Sequence, residues 1–291
     1  MFIENYNFKQ LKIIIKSTAR SKNPFFLFRF FLLPTFKWLY DKVAPEPDFL
    51  MEKEWDVLIL LDACRYDSFS RYNTIPGRLT KIISPGSTTP EWFKNNFSLK
   101  YNKKDTIYFS SNPFISSYFC KKELGHSPFY KIIDIWKDGW NEELGTVHPQ
   151  TVNSFVKKIR LVYPNKKMII HYMQPHYPFI GDYRIDLEKV YLQKFSNIPS
   201  NSFAAKNFWN LLMEKAINVK EAYRAYISNL QLVLDYVNKL LPYLSGKICI
   251  TADHGNAFGR GGIFYGHPSY HLKLPELIEV PWFEVSNRYE S

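Results

Sequence analysis

The sequence predicts an α/β sandwich with a mainly parallel central sheet. Short apolar runs of β-strand composition, such as WDVLILLD from Trp55 to Asp62, alternate along the chain with helical segments. Three of these runs, those that reach Asp62, His171 and Asp253, place polar residues at their carboxyl ends. Ligands bind at that edge of an open α/β sheet, so we expect these three positions to meet there.

Each element is predicted from its own pattern. The predicted strands, in chain order, are WDVLILLD, LTKIIS (Leu79–Ser84), DTIYFSSN, KKMIIHYMQPH (Lys166–His176), GKICITADHG and LIEVPWFEV. The unbroken apolar character of the first run is typical of a strand buried on both faces. A long helical region is predicted from about Phe203 to Leu241, because the apolar residues of LQLVLDYVNKLL recur at helical spacing.

Another helix is predicted to begin within SPGSTTPEWFKNNF. Thr89 is expected as its N-cap, and Pro90 would occupy the first helical position. The hydroxyls of Ser87, Thr88 and Thr89 lie beside that helix start, whose backbone N–H groups would support a negative charge. With the oxygen of Thr89 bound to the helix backbone, Thr88 is the better nucleophile. A plain polar turn is the alternative, and the register among the three hydroxyls stays open.

The composition indicates a globular chain that favours anionic partners. Its 291 residues are 46% hydrophobic and 18% aromatic, and the formal net charge is +11. A positive charge of this size favours phosphate esters, acidic glycans or a lipid headgroup surface. The chain has no zinc-finger spacing, aromatic RNA-binding signature or recognition-helix pattern, so no specific nucleic-acid partner is predicted.

The cysteines predict a reducing compartment, and hence a cytoplasmic location. Cys64, Cys120 and Cys249 are odd in number and form no CxxC pair. Two of them lie in the apolar runs LLDAC and KICIT, where buried, reduced thiols are expected.

Residues 1–48 are predicted to form a basic, aromatic N-terminal arm, and residues 49–291 the catalytic domain. The stretch NPFFLFRFFLLPTFKWLY (Asn23–Tyr40) is apolar, but charged residues and a proline interrupt it. A spanning helix needs about 20 mostly apolar residues, so a transmembrane segment is not predicted. Two alternatives stay open: peripheral contact with a membrane surface, or a helix packed over the domain.

The polar strand ends predict a metal site. Asp62, Asp253 and His254 form a carboxylate and imidazole set that suits one divalent cation, zinc or manganese. Burial of an adjacent Asp-His pair without a metal or partner would be costly, although a single buried histidine is more often a core residue than a ligand. Three further histidines could complete a second cation site or hold an anionic substrate: His171, His176 and His267.

Five segments, taken in order, resemble the alkaline phosphatase superfamily in its sulfatase-like branch: VLILLDACRYDSF, SPGSTTPEWF, IIHYMQPHYPF, TADHGNAFGRGGIFYGHP and PELIEVPWFEV. They span about Asp56 to Val285, and the order of first acid, nucleophile, central histidine, Asp-His pair and last histidine makes the likeness specific. It is greatest to phosphoethanolamine and phosphoglycerol transferases and to sulfatase-like proteins of polysaccharide gene neighbourhoods. The resemblance implies an alkaline-phosphatase-like α/β/α sandwich and a covalent phospho- or sulfo-enzyme, resolved by water or an acceptor hydroxyl.

The resemblance also implies roles for individual residues. Asp62 matches the first metal-binding acid, and Asp253 and His254 match the adjacent metal ligands. Thr88 falls where the family places its nucleophile, two residues before a proline. Two histidines match those that bind a second metal or the substrate's phosphate: His176 and His267. One or two divalent ions, zinc or manganese, are therefore expected.

Substrate contacts are predicted at four further positions: His171, Asn112, Asn256 and Arg260. Asn112 ends the third predicted strand, and Arg260 lies in the loop between the Asp-His pair and the last histidine. Many relatives carry Glu where this chain has Asn256. This difference weakens the assignment to Asn256 of substrate contacts that the acid makes in those relatives.

These assignments predict a metal-dependent phosphoryl-transfer enzyme that acts on an anionic ester. It would be a phosphodiesterase, or a transferase of a phosphate-linked group to a glycan or lipid. The sulfatase signature, Cys or Ser followed by x-Pro-x-Arg, is absent, because Glu91 and Trp92 follow Pro90. Two alternatives remain: a sulfate-ester hydrolase with an unmodified hydroxyl nucleophile, and a non-catalytic glycan- or membrane-associated module.

Overall fold

The computed structural model describes residues 37–97, 103–187, 190, 208–262, 264–268 and 271–286. The chain separates into two compact units, Met1–Ala44 and Pro45–Ser291. The described part of the first unit contains a short helix, α1, over residues 37–43. Most of the predicted arm, including nearly all of Asn23–Tyr40, lies outside the described residues, so its membrane-surface role stays a prediction. No helix within the described ranges has both the length and the apolar character needed to cross a membrane.

A seven-stranded sheet forms the centre of the second unit. Seven of the eleven described strands of this unit form that sheet. In chain order, the eleven strands are β1 (Val57–Leu61), β2 (Gly77–Ile83), β3 (Lys103–Ser110), β4 (Phe129–Asp134), β5 (Trp140–Asn141), β6 (Thr146–Val147), β7 (Lys167–Tyr172), β8 (Ile248–Thr251), β9 (Ala257–Arg260), β10 (Phe264–Gly266) and β11 (Glu279–Val285). The sheet order is β2-β11-β8-β1-β7-β3-β4, and β5-β6 and β9-β10 form two separate hairpins. Strands β8, β1, β7, β3 and β4 are parallel, whereas β11 runs antiparallel to both its neighbours.

Helices connect these strands. In the second unit they are α2 (Tyr66–Tyr72), α3 (Thr89–Asn96), α4 (Ser117–Leu124), α5 (Ile135–Gly139), α6 (Pro149–Val162), α7 (Phe208–Met213), α8 (Val219–Leu240) and α9 (Pro275–Ile278). The 22-residue helix α8 is the longest of them and begins where the Asn218 side chain accepts a hydrogen bond from the Lys220 N–H group.

Helices cover both faces of the sheet. Alternate residues of a strand point to opposite faces. On one face of β7, the His171 ring meets Trp92 of α3 edge-on, with ring centroids 6.3 Å apart. On the other face, Tyr172 donates to Asn153 of α6, whose amide donates to the Tyr236 carbonyl of α8 at 2.8 Å. The predicted α/β/α sandwich with a mainly parallel central sheet is therefore confirmed.

Strand β1 lies at the middle of the sheet and sets the position of the site. Its five residues are fully buried between β7 and β8, which explains their continuous apolar character. Leu60 is paired with His171 on one side and with Thr251 on the other. The acids that follow β1 and β8 therefore emerge beside His171, at one edge of the sheet.

Two predicted elements differ from the observed ones: one strand ends earlier than predicted, and one helical region is divided into two helices. The strand predicted over Lys166–His176 ends at Tyr172, and Pro175 beyond it has no N–H group to donate to a ladder. The helical region predicted over Phe203–Leu241 begins outside the described residues, and its described part from Phe208 onwards contains two helices, α7 and α8. The chain breaks between them at Lys215, whose φ of 55° is left-handed and cannot continue an α-helix.

Candidate metal and nucleophile site

Three buried side chains meet where β1, β7 and β8 end. One ligand atom each from Asp62, His171 and Asp253 lies within 4.8 Å of the others. His254 adds its Nε2, 3.5 Å from Asp253 Oδ2 and 3.9 Å from Asp62 Oδ1. The structure thus brings the first acid and the Asp-His pair together, although their role as ligands stays a prediction. His171, which we predicted as a substrate contact, lies inside this group.

The loop after β1 holds the carboxylate of Asp253 in place. Ala63 N donates to Asp253 Oδ1 at 3.0 Å. Ala63 adopts a left-handed φ of 58°, a conformation that is unfavourable for a residue with a side chain. The Tyr226 hydroxyl stabilises this turn, because it donates to the Ala63 carbonyl at 2.9 Å and accepts from Arg65 N at 3.0 Å.

Thr89, and not Thr88, is the hydroxyl at this site. Its Oγ1 donates to Asp253 Oδ2 at 2.6 Å and lies 3.3 Å from His254 Nε2. The N-cap predicted at Thr89 is wrong, because Thr88 is the N-cap and Thr89 is the first residue of α3. The oxygen of Thr89 is therefore not bound to the helix backbone, and the reason for preferring Thr88 as nucleophile disappears.

The turn before α3 is packed closely enough to require glycine. A Cβ added to Gly86 would lie 2.2 Å from Trp92 N, which is well inside van der Waals contact. Ser87 is engaged within the same turn, because its N–H and its Oγ donate to Glu91 Oε2 at 2.8 and 3.0 Å. This leaves the hydroxyl of Thr89 as the one that points at the acids.

Asn112 connects the first acid with this hydroxyl. Its Nδ2 donates to Asp62 Oδ2 at 2.6 Å and lies 3.5 Å from Thr89 Oγ1. Its Oδ1 accepts from Phe114 N at 2.9 Å, which fixes the orientation of the amide. An amide N–H group beside a hydroxyl can bind an anionic oxygen, and the substrate contact of Asn112 stays a prediction.

A second group of imidazoles lies beside the first. His176 Nε2 and His267 Nε2 are 2.8 Å apart, and the His254 and His267 ring centroids are 4.5 Å apart. Burial, together with the neighbouring His254 and His176 rings, holds the pKa of His267 well below its usual value. His267 is therefore neutral at pH 7, and the neutral imidazole is the form that binds a cation.

The unpaired polar atoms of the site fit a bound cation. Asp62 Oδ1, His171 Nε2 and His267 Nδ1 are buried and have no hydrogen-bond partner within the described part of the chain. Leaving such an atom unpaired costs about 1–3 kcal/mol. His254 Nδ1 donates to the Gly255 carbonyl at 2.7 Å, so its Nε2 presents a lone pair towards the acids. Oxygen and nitrogen donors in this combination suit zinc or manganese.

Asp62 stays ionised although it is buried. Burial by itself raises the pKa of a carboxyl group. The imidazole of His171, 3.6 Å from Asp62 Oδ2, and the nearby rings of His176 and His254 outweigh that effect, and the pKa of Asp62 falls below its usual value. A carboxylate in this form can bind a cation without first losing a proton.

Tyr108 supports this group and was missed in the sequence analysis. Its hydroxyl lies 2.9 Å from His171 Nδ1 and fixes that ring. Burial raises the pKa of Tyr108 well above its usual value, so the phenol keeps its proton. The sequence carried no signal for it, because Tyr108 shares a face with His171 only through the pairing of Ser110 with His171 across β3 and β7, a register that sequence patterns do not give.

Asn256 and Arg260 have different surroundings. Asn256 is fully buried, and its side-chain polar atoms have no partner among the described residues. Arg260 pairs with Glu276 at 2.5 Å and lines a cavity of about 220 Å³ beside Arg65. The lining of that cavity includes neither Thr89 nor a predicted metal ligand. Substrate contacts at Asn256 and Arg260 therefore stay predictions.

Comparison with known proteins finds relatives by structure rather than by sequence. No protein-family model matches the chain, and no curated protein matches it significantly. The integral membrane lipooligosaccharide phosphoethanolamine transferase A of Neisseria meningitidis matches with a TM-score of 0.50 and 14% identity, over 83% of this chain and 49% of that protein. The chain thus spans about half the length of that transferase. The C-terminal periplasmic domain of the phosphoethanolamine transferase EptC from Campylobacter jejuni matches with a TM-score of 0.50 and 14% identity, over 81% of this chain and 80% of that domain.

The predicted cytoplasmic location is wrong, because the matched Campylobacter jejuni structure is a periplasmic domain. The error lies in the cysteine argument. All three cysteines are free and buried. A buried thiol that has no cysteine neighbour stays reduced in an oxidising compartment as well, so it gives no information on the compartment.

Both matched proteins are phosphoethanolamine transferases, and they share the sheet and the flanking helices of this chain at low sequence identity. A match of this kind establishes the fold. The chain therefore has the fold of these transferase domains, an α/β/α sandwich with a mainly parallel sheet, as the resemblance of its motifs predicts.

Proposed function

We propose that this domain is a metal-dependent phosphoryl-transfer enzyme that forms a covalent intermediate on Thr89. The observation that carries the proposal is the position of Thr89 Oγ1, at the first residue of α3 and 2.6 Å from Asp253 Oδ2. A nucleophilic hydroxyl needs a proton acceptor within hydrogen-bond distance, and Asp253 provides one. It also needs donors for the developing negative charge, and the amide of Asn112 lies beside it.

In the proposed reaction, Thr89 Oγ1 forms a bond to phosphorus while the bond from phosphorus to the leaving ester oxygen breaks. The Thr89 proton passes to Asp253 Oδ2, and the leaving oxygen takes a proton from water. Water or an acceptor hydroxyl then attacks the same phosphorus and gives its proton to the hydroxide left by the first step, while the bond to Thr89 breaks and Thr89 takes back the proton held by Asp253. Asn112 Nδ2 orients the phosphoryl oxygens in both steps.

The residues that would hold a cation are Asp62, Asp253 and His254. A bound divalent ion would stabilise the negative charge on the transferring group and lower the pKa of the attacking hydroxyl. His171 Nε2 lies 3.6 Å from Asp62 Oδ2 and favours the charged form of that carboxylate, which Asn112 orients. Two imidazoles beside this set would bind a second ion or the phosphate itself: His176 and His267. Zinc and manganese both suit the donor set.

We propose an anionic ester linked to a glycan or lipid as substrate. The net charge of +11 favours an anionic partner. One protein of the same fold is, by its description, a lipooligosaccharide phosphoethanolamine transferase. Sulfate esters are the second candidate, and the absence of a Cys at the positions of Thr88 and Thr89 disfavours them.

The proposal is tested with bis(p-nitrophenyl) phosphate and the zinc- or manganese-loaded protein. We expect release of one p-nitrophenol per transfer and a peptide that carries a p-nitrophenyl phosphate group on Thr89, detected by mass spectrometry. Thr89→Ala should lower the rate about a thousandfold or more, because the covalent route is lost. Thr89→Ser should keep measurable activity.

Thr88→Ala is the matched control, because it changes the neighbouring hydroxyl and leaves Thr89 in place. It should keep at least half of the activity. Equal losses at the two positions, or phosphate on Thr88, would sink the assignment of the nucleophile. A metal-loaded protein without turnover of phosphate esters would favour the sulfatase or the non-catalytic alternative, and p-nitrophenyl sulfate separates those two.

A further inference from the structure

An exposed aromatic and basic surface lies on α4 and on the segment before it, which follows Asn112 of the candidate site. We define the α4 surface by four residues: Phe114, Tyr118, Lys121 and Lys122. Phe114 is 65% and Tyr118 is 72% exposed. The two lysines are exposed as well, on the same side of α4 as Tyr118, because residues three and four apart share a helix face.

The α4 surface is not an incompletely buried core face, because α4 already has one. Cys120 on the opposite side of the helix is fully buried, and Phe119 packs against the main hydrophobic core. The N-terminal end of α4 is capped by Ser116, whose side chain accepts from Phe119 N. The helix is therefore held by its inner side, and its aromatic outer side faces solvent.

The lysines of the α4 surface have one acid close by, Glu123, whose pKa is lowered chiefly by Lys94 and to a smaller extent by Lys122. Within the described ranges, neither Lys121 nor Lys122 forms an ion pair with an acid. The acid next to them, Glu123, is paired with Lys94 at 2.5 Å. Exposed aromatic rings beside exposed lysines are the combination that binds an anionic lipid surface, because the rings enter the headgroup layer and the ammonium groups contact the lipid phosphates.

The α4 surface is directly connected to the candidate site. Phe114 N donates to Asn112 Oδ1, and the same amide donates to Asp62 Oδ2. A membrane that contacts Phe114 would therefore lie next to the residues that we propose to handle the phosphoryl group.

Another exposed apolar pair lies elsewhere on the molecule and serves as a comparison. Leu161 and Val162, at the end of α6, are 85% and 63% exposed. They precede the amino end of β7, so they lie at the sheet edge opposite to the candidate site. Lysines near that edge stack on tyrosines, since Lys166 lies over Tyr130 at 4.0 Å. Lys157 of α6 likewise lies over the Tyr243 ring, at 3.5 Å.

We infer that the α4 surface docks on an anionic lipid bilayer and presents the candidate site to the headgroups. The inference does not depend on the reaction proposed for Thr89. It also differs from the membrane contact predicted for the N-terminal arm, because it concerns residues of the second compact unit.

The experiment uses the full chain with a single introduced cysteine that carries an environment-sensitive fluorophore. The three native cysteines are buried, so they should not compete for the label. One variant is Tyr118→Cys, and Leu161→Cys is the matched control at the opposite sheet edge. Vesicles of phosphatidylcholine alone are compared with an equimolar mixture of phosphatidylcholine and phosphatidylglycerol.

We expect a blue-shifted emission at position 118 with the phosphatidylglycerol vesicles only, and an unchanged emission at position 161. Adding Lys121→Glu and Lys122→Glu to Tyr118→Cys should shift the response to vesicle concentrations about tenfold higher or more. High salt should weaken it in the same direction.

Three results would overturn the inference. In the first, the label at position 161 responds and that at position 118 does not. In the second, the chain sediments with anionic vesicles but neither label responds, which assigns the contact to another part of the chain. In the third, the label at position 118 responds to soluble polyphosphate and not to vesicles, which indicates a soluble anionic partner.

Discussion

Asp253 is the residue on which the geometry of the candidate site depends most clearly. Its Oδ1 accepts hydrogen bonds from Ala63 N and His254 N, at 3.0 and 2.9 Å. Its Oδ2 accepts from Thr89 Oγ1. A single carboxylate thus fixes the loop after β1, the backbone of His254 and the proposed nucleophile. The negative charge of Asp253 is needed for a cation, but two of its hydrogen bonds need only an oxygen.

Because a cation needs the negative charge of Asp253 and the two backbone hydrogen bonds need only its oxygen, the effect of Asp253→Asn can be predicted. The amide oxygen can still accept from Ala63 and His254, so the fold should persist, with unfolding free energy changed by no more than about 1–2 kcal/mol. Loss of the charge should abolish zinc binding, measured by elemental analysis after incubation with zinc and desalting. Zinc should then no longer raise the melting temperature, whereas it should raise that of the wild type.

Asp134→Asn is the matched control for this substitution. Asp134 accepts hydrogen bonds from Ser117 and lies outside the candidate site. Asp134→Asn should leave the zinc content unchanged. Wild type without zinc, or an Asp253→Asn variant that keeps it, would contradict the metal assignment.

The sequence predicted that acids and histidines meet at the sheet edge, but it did not predict which hydroxyl faces them. Asp62 and Asp253 could be found because each follows an apolar run, and strand ends converge whatever the details of packing. Thr88 and Thr89 could not be separated, because a helix start is uncertain by one residue when neighbouring side chains can both cap it. His171 was predicted to meet the two acids, but as a substrate contact, and its approach to within 3.6 Å of Asp62 depends on the register of β7 with β1, which sequence patterns do not give.

Helix α8 contributes to the site through one hydroxyl. Tyr226 is fully buried and bridges the Ala63 carbonyl and Arg65 N, on the two sides of the acid loop. The left-handed conformation of Ala63 lets its N–H group reach Asp253. The helix thus positions a predicted ligand without touching it.

Tyr226→Phe should weaken the site more than it weakens the fold. The substitution leaves the Ala63 carbonyl and Arg65 N without their partner, which should cost about 1–3 kcal/mol of unfolding free energy. Zinc affinity should fall about tenfold or more, because groups that orient metal ligands act through the ligand geometry. Competition with a fluorescent chelator measures the affinity, and urea denaturation measures the stability.

Tyr223→Phe is the control on the same helix. Its hydroxyl contacts Ser68 Oγ at 3.0 Å and does not reach the acid loop. It should leave zinc affinity within about twofold. Equal losses of affinity in both variants would mean that α8 supports the site only by packing.

Elements that the sequence analysis missed are those with weak patterns. Strand β4 is at one edge of the sheet, and its residues from Tyr130 onwards are only partly buried or exposed, so it lacks an apolar run. Helix α6 did carry a start signal, because His148 caps it and Pro149 follows in the first turn. Its buried Val152 and Val156 are spaced by one turn, but exposed apolar residues at its end blur that spacing.

At the scale of the whole molecule, the sheet assembles a site from distant parts of the chain. Its residues come from the loops after β1, β3 and β8, from β7 itself and from the start of α3. A mainly parallel sheet brings all these ends to one edge, which is why the fold class was enough to predict the meeting of Asp62, His171 and Asp253. The fold class does not predict the residue at which the folded unit begins, because that residue depends on single contacts at the edge strand β2.

Two hydrogen bonds between Asp48 and Ile83 of β2 predict where the folded unit begins. Asp48 N donates to the Ile83 carbonyl at 2.8 Å, Ile83 N donates to Asp48 Oδ2 at 2.9 Å, and the compact unit starts at Pro45. The sequence placed the boundary after residue 48. A chain that starts at Phe49 should therefore be less stable than one that starts at Pro45, by about 1–3 kcal/mol for two hydrogen bonds. Asp48→Ala in the longer chain should fall between them in urea denaturation, since it keeps the backbone bond. Equal stability of all three chains would place the boundary at residue 49.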